Sequence, residues 1–365
     1  MTFRERILNT FGKKKIDKIV WQPRIYYWYN WNKAYKTLPD RYKDMTMLEV
    51  YDDLRISPRY FPEVLKIEPI EERHSDEVKV VENVEKEKSI IVINTPKGEL
   101  VKELDLPIAE GWRLLTYPIK SVEDIEKAIW FYENTKFVFI KERFEQAREI
   151  FGDRGEPQFY VPRSGYQALV IELMGLENLI YALNDFPEKV ERLMSAINNS
   201  YDTLYEGIVS SGVVKILNFG ENIDANISPP PYFEKYCIPF YEKRTRQLQQ
   251  AGIYTHIHID GSCKPLLKYL KDLPFDGLEA LTSFPQGDVT LEELKEAIGE
   301  KVLLDGIPAI LFLPEYSYKD LEEFTMKALK LFSPNLILGA SDEVPPPGDI
   351  EKVKFVSEII DNYAV

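Results

Sequence analysis

Short runs of β-branched, aliphatic or aromatic residues recur along the chain, and amphipathic stretches separate most of them. The runs are KIVWQPRI (18–25), RLLTYPI (113–119), QFYVP (158–162), VKILNFG (214–220), IYTHIHID (253–260), GLEAL (277–281), KVLLDG (301–306) and NLILGA (335–340). A strand followed repeatedly by a helix makes a parallel sheet the economical arrangement, and about eight such units close a barrel. The expected fold is therefore α/β, a single (β/α)8 TIM barrel in which residues 1–365 form one domain. A chain of 365 residues suits that fold without dividing.

The intervening segments carry helix punctuation. SVEDIEKAIWFYEN opens on Ser121 with acids in its first turn, as an N-cap and the helix dipole favour. Helices are also expected in 176–212, divided near Pro187, in SPPPYFEKYCIPFYEKRTRQLQQAG ending at Gly252, and in TLEELKEAIGE ending near Gly299. Residues 64–104 break the rhythm. Their β-branched runs, charge clusters and TPKG turn predict an antiparallel β meander inserted near the N-terminus, serving as a lid or an interface.

Charge and cysteine content narrow the function classes. Forty-six Lys plus Arg against 60 Asp plus Glu give a net charge of −14, so nucleic acid and anionic membrane meet a repulsive field. The two cysteines are too few for a disulfide framework and suit a reducing compartment. MTFRERILNTFGKKK has no apolar core of a signal peptide, and no run approaches a membrane span, so the expected location is cytoplasmic.

Barrel chemistry sits at the C-terminal strand ends. Those positions hold Arg24, Arg163, Glu221, Asp224, His258, Asp260, Glu279, Asp305, Asp342 and Glu343, a predominantly acidic mouth. In HIHIDG, side chains of His256, His258 and Asp260 share one strand face, which in a barrel is the interior. His256 is expected to pack deeper as a hydrogen-bonded core residue. At the rim, His258 and Asp260 are candidate metal ligands, or a substrate-orienting pair, and Gly261 allows a sharp turn. Asp342 or Glu343, following the last strand across the seam from the first, can complete a metal site. The aromatic-rich WQPRIYYWYNW offers Tyr26 and Trp28 as a wall over the site, the remaining rings being core.

GLENLIYALNDFPEKVERLM, ISPPPYFEKYCIPFYEKRTRQLQQAG, HIHIDGSCKPLLKYL, FDGLEAL, GDVTLEELKEAIGEKVLLDGI and LILGASDEVPPP, in this order and spacing, resemble the uroporphyrinogen decarboxylase superfamily. That family comprises decarboxylases and zinc methyltransferases that exchange methyl groups with a corrinoid protein. True decarboxylases resemble one another in two arginines four residues apart that hold an acidic tetrapyrrole. Arg24 matches the first, but Trp28 stands at the second. The methyltransferase branch resembles an H-x-C pair with a distant cysteine; His258 matches, Asp260 takes the first cysteine position and Ala340 lies at or beside the second. The resemblance thus implies a corrinoid-dependent methyltransferase acting on a small O-, N- or S-methyl compound, with zinc held by His258, Asp260 and Glu343 or Asp342. Glu221, Glu279 and Arg24 are its expected catalytic groups, and Tyr26, Trp28, Arg163 and Asp224 its substrate-binding groups. It also implies a homodimer. The alternatives are a cofactor-independent decarboxylase using Arg24 and Arg163, and a non-catalytic small-molecule binding barrel.

Overall fold

The computed structural model describes residues 1–105 and 113–365. In chain order its strands are β1 (Val20–Trp21), β2 (Ile70–His74), β3 (Lys79–Glu85), β4 (Lys88–Thr95), β5 (Gly98–Asp105), β6 (Arg113–Thr116), β7 (Thr135–Phe139), β8 (Tyr160–Val161), β9 (Ile216–Ile223), β10 (Tyr254–Ile259), β11 (Gly277–Ala280), β12 (Val302–Pro308) and β13 (Leu336–Ser341). The central sheet is parallel and runs β1-β13-β12-β11-β10-β9-β8. Helices follow its strands, including Ile238–Gln250 after β9, Leu291–Ile298 after β11, Tyr318–Phe332 after β12 and Ile350–Asp361 after β13. Ser121, Thr290 and Ser317 cap their helices through reciprocal capping boxes with Asp124, Glu293 and Asp320. Among the described residues no helix is long and apolar enough to cross a membrane.

Two expectations need correction. Among the described residues the regular parallel ladder has seven strands and is not a closed eight-stranded barrel. RLLTYPI is not a member of it, because β6 pairs antiparallel with β5. Between β1 and β8 lies the segment Ser57–Phe61 instead. Ser57 N–H donates to the Trp21 carbonyl at 3.0 Å, Gln158 N–H to the Arg59 carbonyl at 3.1 Å, and Phe61 N–H to the Gln158 carbonyl at 3.2 Å. Pro58 and Pro62 lack the amide donors a continuous ladder requires, which is why this connection is broken. The meander expected at 64–104 is present as β3–β4–β5, extended by β6, whereas β2 leaves it to pair with β7. The region expected to hold two helices has Leu176–Asp185, Pro187–Ser200 and Asp202–Ser211.

The space enclosed by the sheet is layered. Its floor is apolar: Ile7 and Phe11 of the N-terminal helix Phe3–Phe11 pack against Val20, Ile216, Val302, Leu304 and Ile337. Above it lies a polar layer of Gln22, Arg59, Gln158, Asn218, His256, Glu279 and Asp305, all buried. Alternation puts Val302 and Leu304 inside and Leu303 in the outer core with the helices. Asp305 also turns inward, directly after Leu304, and it does so at φ 77. The break in alternation converts an apolar strand into one that ends on an interior carboxylate. Ala280 at the end of β11 shares this left-handed backbone, with φ 68. Such residues cost on the order of 1–3 kcal/mol and gather where function holds them.

Candidate functional site

Arg59 centres the polar layer. Its guanidinium spans Glu279 at 2.6 Å and Asp305 at 2.8 Å, with all three side chains inaccessible to solvent. Nε donates to Gln22 Oε1 at 2.9 Å. Tyr60 donates to Glu279 at 2.6 Å, and Asn218 donates to the other Glu279 oxygen. Burial pushes both carboxyls up. Arg59 and the His258 ring overcome this at Glu279 and hold it well below the usual range, whereas Arg59 does not overcome it at Asp305, which remains raised, to about 6.

The histidines of HIHIDG differ in kind. His256 is fully buried, its Nε2 is 2.6 Å from Gln158 Oε1 and its Nδ1 is 2.9 Å from Asn218 Nδ2. These contacts assign Nε2–H as donor and Nδ1 as acceptor, so the ring is neutral, and burial lowers its pKa. His256 is the packed histidine that strand geometry predicts. His258 lies one layer up. Its Nδ1 has Glu279 Oε2 at 3.5 Å and Nε2 has Asp342 Oδ1 at 3.8 Å. Burial opposes a charge on this ring, but Asp342 and Glu279 outweigh it and raise the pKa to about 9.

Arg24 stands at the mouth, packed over the Tyr60 and Tyr160 rings at 5.2 and 6.0 Å. Three carboxylates surround it: Glu63 at 2.8 Å, Asp342 at 2.5 Å and Glu343 at 2.6 Å. The second Glu343 oxygen accepts the Tyr27 amide, and burial raises this carboxyl to about 8 despite Arg24. A cavity of about 310 Å³ opens here, lined by Arg24, Glu63, Tyr160, Arg163, His258 and Asp342 among others.

The sequence candidates are distributed as follows. Arg24, Arg163 and His258 line the cavity. Arg163 is paired with Glu172. Donor atoms of His258, Asp260 and Asp342 lie within 4.8 Å of one another. Asp342 and Glu343 are both paired with Arg24, and Asp342 is the one whose carboxylate also joins the cluster. Glu279 lies beneath His258, and Glu221 lies behind β9, where Ser164 N–H, Ser164 Oγ and Tyr241 Oη donate to it at 2.6, 2.6 and 2.9 Å. Burial raises the Glu221 carboxyl. Gly220 and Asn222 line the cavity on either side of it, as strand alternation requires. Trp28 is core, donating to the Gly348 carbonyl at 3.1 Å and meeting Tyr42 edge-on. Tyr26 accepts from Lys66 at 3.2 Å, away from the cavity. Asp224 Oδ1 accepts the Asn226 amide at 2.8 Å, and its carboxylate occupies the space a Cβ would need at Gly261, whose φ is 75.

Sequence reasoning missed Arg59, Tyr60, Glu63 and Tyr160. The alternation of Arg59 and Tyr60 between Pro58 and Pro62 is the one local signal, a short extended segment bounded by prolines.

No curated protein matches the chain. A methyltransferase from Methanosarcina mazei shares the fold at a TM-score of 0.63 and 13% identity, covering 99% of this chain and 98% of that one. A B12-independent methionine synthase from Shewanella sp. W3-18-1 aligns at 0.43 and 14% identity, covering 89% and 90%. Residues 167–363 match the model of uroporphyrinogen decarboxylase (URO-D). This stretch begins beyond Ser164 and runs through β9 and past β13, and so carries His258, Asp260, Glu279, Asp305 and Asp342. The chain belongs to the uroporphyrinogen decarboxylase family.

Proposed function

We propose that this protein is a metal-dependent methyltransferase of the family, taking a methyl group from a small O-, N- or S-methyl compound and delivering it to a corrinoid carried by a partner protein in the cytoplasm. In this reading Ser57–Tyr60 is the eighth stave of a (β/α)8 barrel. The observation that carries the proposal is the meeting of His258, Asp260 and Asp342 at the rim of a small cavity.

The donors fit a divalent ion. One imidazole and two carboxylates are accepted by zinc, with bonds of about 2.0–2.2 Å that place neighbouring ligand atoms roughly 3–4 Å apart. The 3.8 Å between His258 Nε2 and Asp342 Oδ1 is too long for a hydrogen bond and suits two ligands of one ion. The carboxylates that hold a proton on His258 attract a metal cation in its place. Bound there, the metal supplies Lewis acidity toward the heteroatom that the methyl group leaves.

The protein's own groups do the rest. Glu279, held by Arg59, Tyr60 and Asn218, faces His258 Nδ1 and directs Nε2 to the rim. Arg24 fixes Asp342 and neutralises it in part. The Tyr160 ring gives an apolar wall, and a volume of about 310 Å³, at the lower end for ligand sites, selects a small substrate. Decarboxylation of an acidic tetrapyrrole is the weaker reading, because Arg24 and Arg163 are already paired with carboxylates of this chain.

The test is metal analysis combined with turnover. Purified protein is expected to hold one divalent ion per chain, His258→Ala to lose it, and small methyl compounds to consume cob(I)alamin absorbance only with the loaded protein. Uroporphyrinogen is expected to give no decarboxylated fluorescent product after oxidation. Full activity without metal, or uroporphyrinogen turnover, refutes the proposal.

A further inference from the structure

The four-stranded antiparallel sheet ends on β3, and among the described residues no strand pairs with its outer edge. All seven residues, Lys79–Glu85, are exposed. Val80, Val81 and Val84 are 44%, 46% and 58% exposed, an apolar load that a solvated edge does not need. Natural edges are blunted by charged side chains, proline, bulges or short length. This one has no proline or bulge, its register with β4 being unbroken from Lys79↔Asn94 to Glu85↔Lys88, and its charges, Lys79, Glu82 and Glu85, alternate with valines.

We propose that β3 is a dimerisation edge whose occupant is β3 of a second copy of this chain, antiparallel across a two-fold axis at Glu82. Two independent features of the strand select this partner and register. The first is backbone parity. A two-residue turn, with Lys86 at φ 55, is closed by the Glu85–Lys88 pair, so hydrogen-bonded pairs alternate back from it. Residues 80, 82 and 84 therefore turn their peptide groups outward. Only registers that set outward residues opposite outward residues form a ladder, and the one centred on Glu82 overlaps all seven residues.

The second feature is side-chain complementarity. In that register Lys79 faces Glu85 of the other copy at both ends, and Val80 faces Val84 twice on the opposite side of the sheet. Opposite charges and β-branched pairs are the cross-strand contacts that stabilise antiparallel sheets. Neither Lys79 nor Glu85 has a salt bridge within its own chain among the described residues. The unfavourable contact is Glu82 against Glu82 on the axis, each carboxylate accepting from Ser89 Oγ of its own chain at 2.6 Å. The two four-stranded sheets join into one of eight strands.

Sedimentation equilibrium of the full chain over a range of concentrations tests this. The wild type is expected to be a reversible dimer. Lys79→Glu and Glu85→Lys, each placing like charges at both ends, are each expected to weaken it about tenfold, from cross-strand terms of ~0.2–1 kcal/mol per pair reversed in sign. Mixing the two variants is expected to restore association, because every end pair in the mixed dimer is again Glu against Lys. Glu82→Gln is expected to tighten the dimer. A monomeric wild type, a dimer indifferent to Lys79→Glu, or single variants not rescued by mixing overturns the proposal. Circular dichroism of each variant separates loss of association from loss of fold.

Discussion

Replacing Arg59 with methionine removes the one cation shared by two buried carboxylates. The guanidinium contacts Glu279 at 2.6 Å and Asp305 at 2.8 Å, and its Nε holds Gln22. Bulk solvent does not reach these side chains, all of which are buried. Removing one partner of a buried pair leaves an uncompensated charge and costs about 3–5 kcal/mol. Here two acids lose the same partner, so the upper end of that range is expected. The cost depends on pH, with a determinable sign. The folded-state pKa of Glu279 is depressed, so its stabilising contribution is present above the unfolded value and lost as pH falls toward the folded one. Asp305, raised to about 6, opposes folding increasingly between its unfolded value and about 6, and does so more strongly without Arg59. The Glu279 part of the gap between wild type and Arg59→Met opens as pH rises above its depressed folded-state value and the Asp305 part above about 6, because below that pH Asp305 is protonated in both folded proteins; in acid, with both carboxyls protonated, the gap closes. Urea unfolding at pH 4.5 and pH 7.5 measures the gap. A difference below about 1 kcal/mol at pH 7.5, or a gap that grows in acid, would falsify the account of Arg59 as the shared counter-ion.

Three further outcomes are accessible. Glu279→Gln is expected to weaken divalent-metal binding about 10- to 100-fold, read by chelator competition, because the group that orients His258 loses its charge; unchanged affinity removes Glu279 from that role. Gly261→Ala places a Cβ against the Asp224 carboxylate at φ 75, and a loss of ~1–3 kcal/mol in urea unfolding together with weaker metal binding is expected, since Asp260 is the adjacent residue. Cys237 and Cys263 are both buried, and burial pushes Cys237 well above the ordinary thiol value and Cys263 up to about 12. Neither is expected to react with a thiol reagent in native protein at pH 8, and both in urea; prompt native labelling contradicts this.

What the sequence discloses about this fold follows from what each segment buries. IYTHIHID, KVLLDG and NLILGA are covered on both faces and read as strands from apolar content alone. RLLTYPI has the same content, but strand propensity carries no information about pairing partners, and β6 joins β5. Ser57–Phe61 is hidden for the opposite reason: it is placed beside β1 and β8 by tertiary hydrogen bonds that its prolines and arginine do not advertise. At the site, the depth difference between His256 and His258 is legible from alternation. The choice between Asp342 and Glu343 is not, because Arg24 pairs with both and only the path of the turn sets Asp342 beside His258 and Glu343 on the Tyr27 amide. Trp28 lies in the helix Tyr26–Ala34, whose rotation sends the ring to Tyr42 and the core.

The electrostatics of the mouth give a last prediction. Arg24 is a buried guanidinium enclosed by Glu63, Asp342 and Glu343, so the carboxylate-binding capacity it would offer a substrate is already used within the chain. An anionic substrate must displace one of these acids or lie against it. A carboxylate held about 4 Å from another, at an effective dielectric of about 20, costs ~4 kcal/mol, roughly a thousandfold in affinity. Glu63 is the acid to remove, because it belongs neither to the metal cluster nor to the amide contact at Tyr27. Glu63→Gln keeps the shape and frees one side of Arg24. Titration calorimetry with acetate is expected to show no binding to wild type and measurable binding to Glu63→Gln, while neutral methyl compounds bind both alike. Acetate binding to the wild type with no gain in the variant means that Arg24 is available to anions after all, and the ground for preferring methyl transfer over decarboxylation is lost.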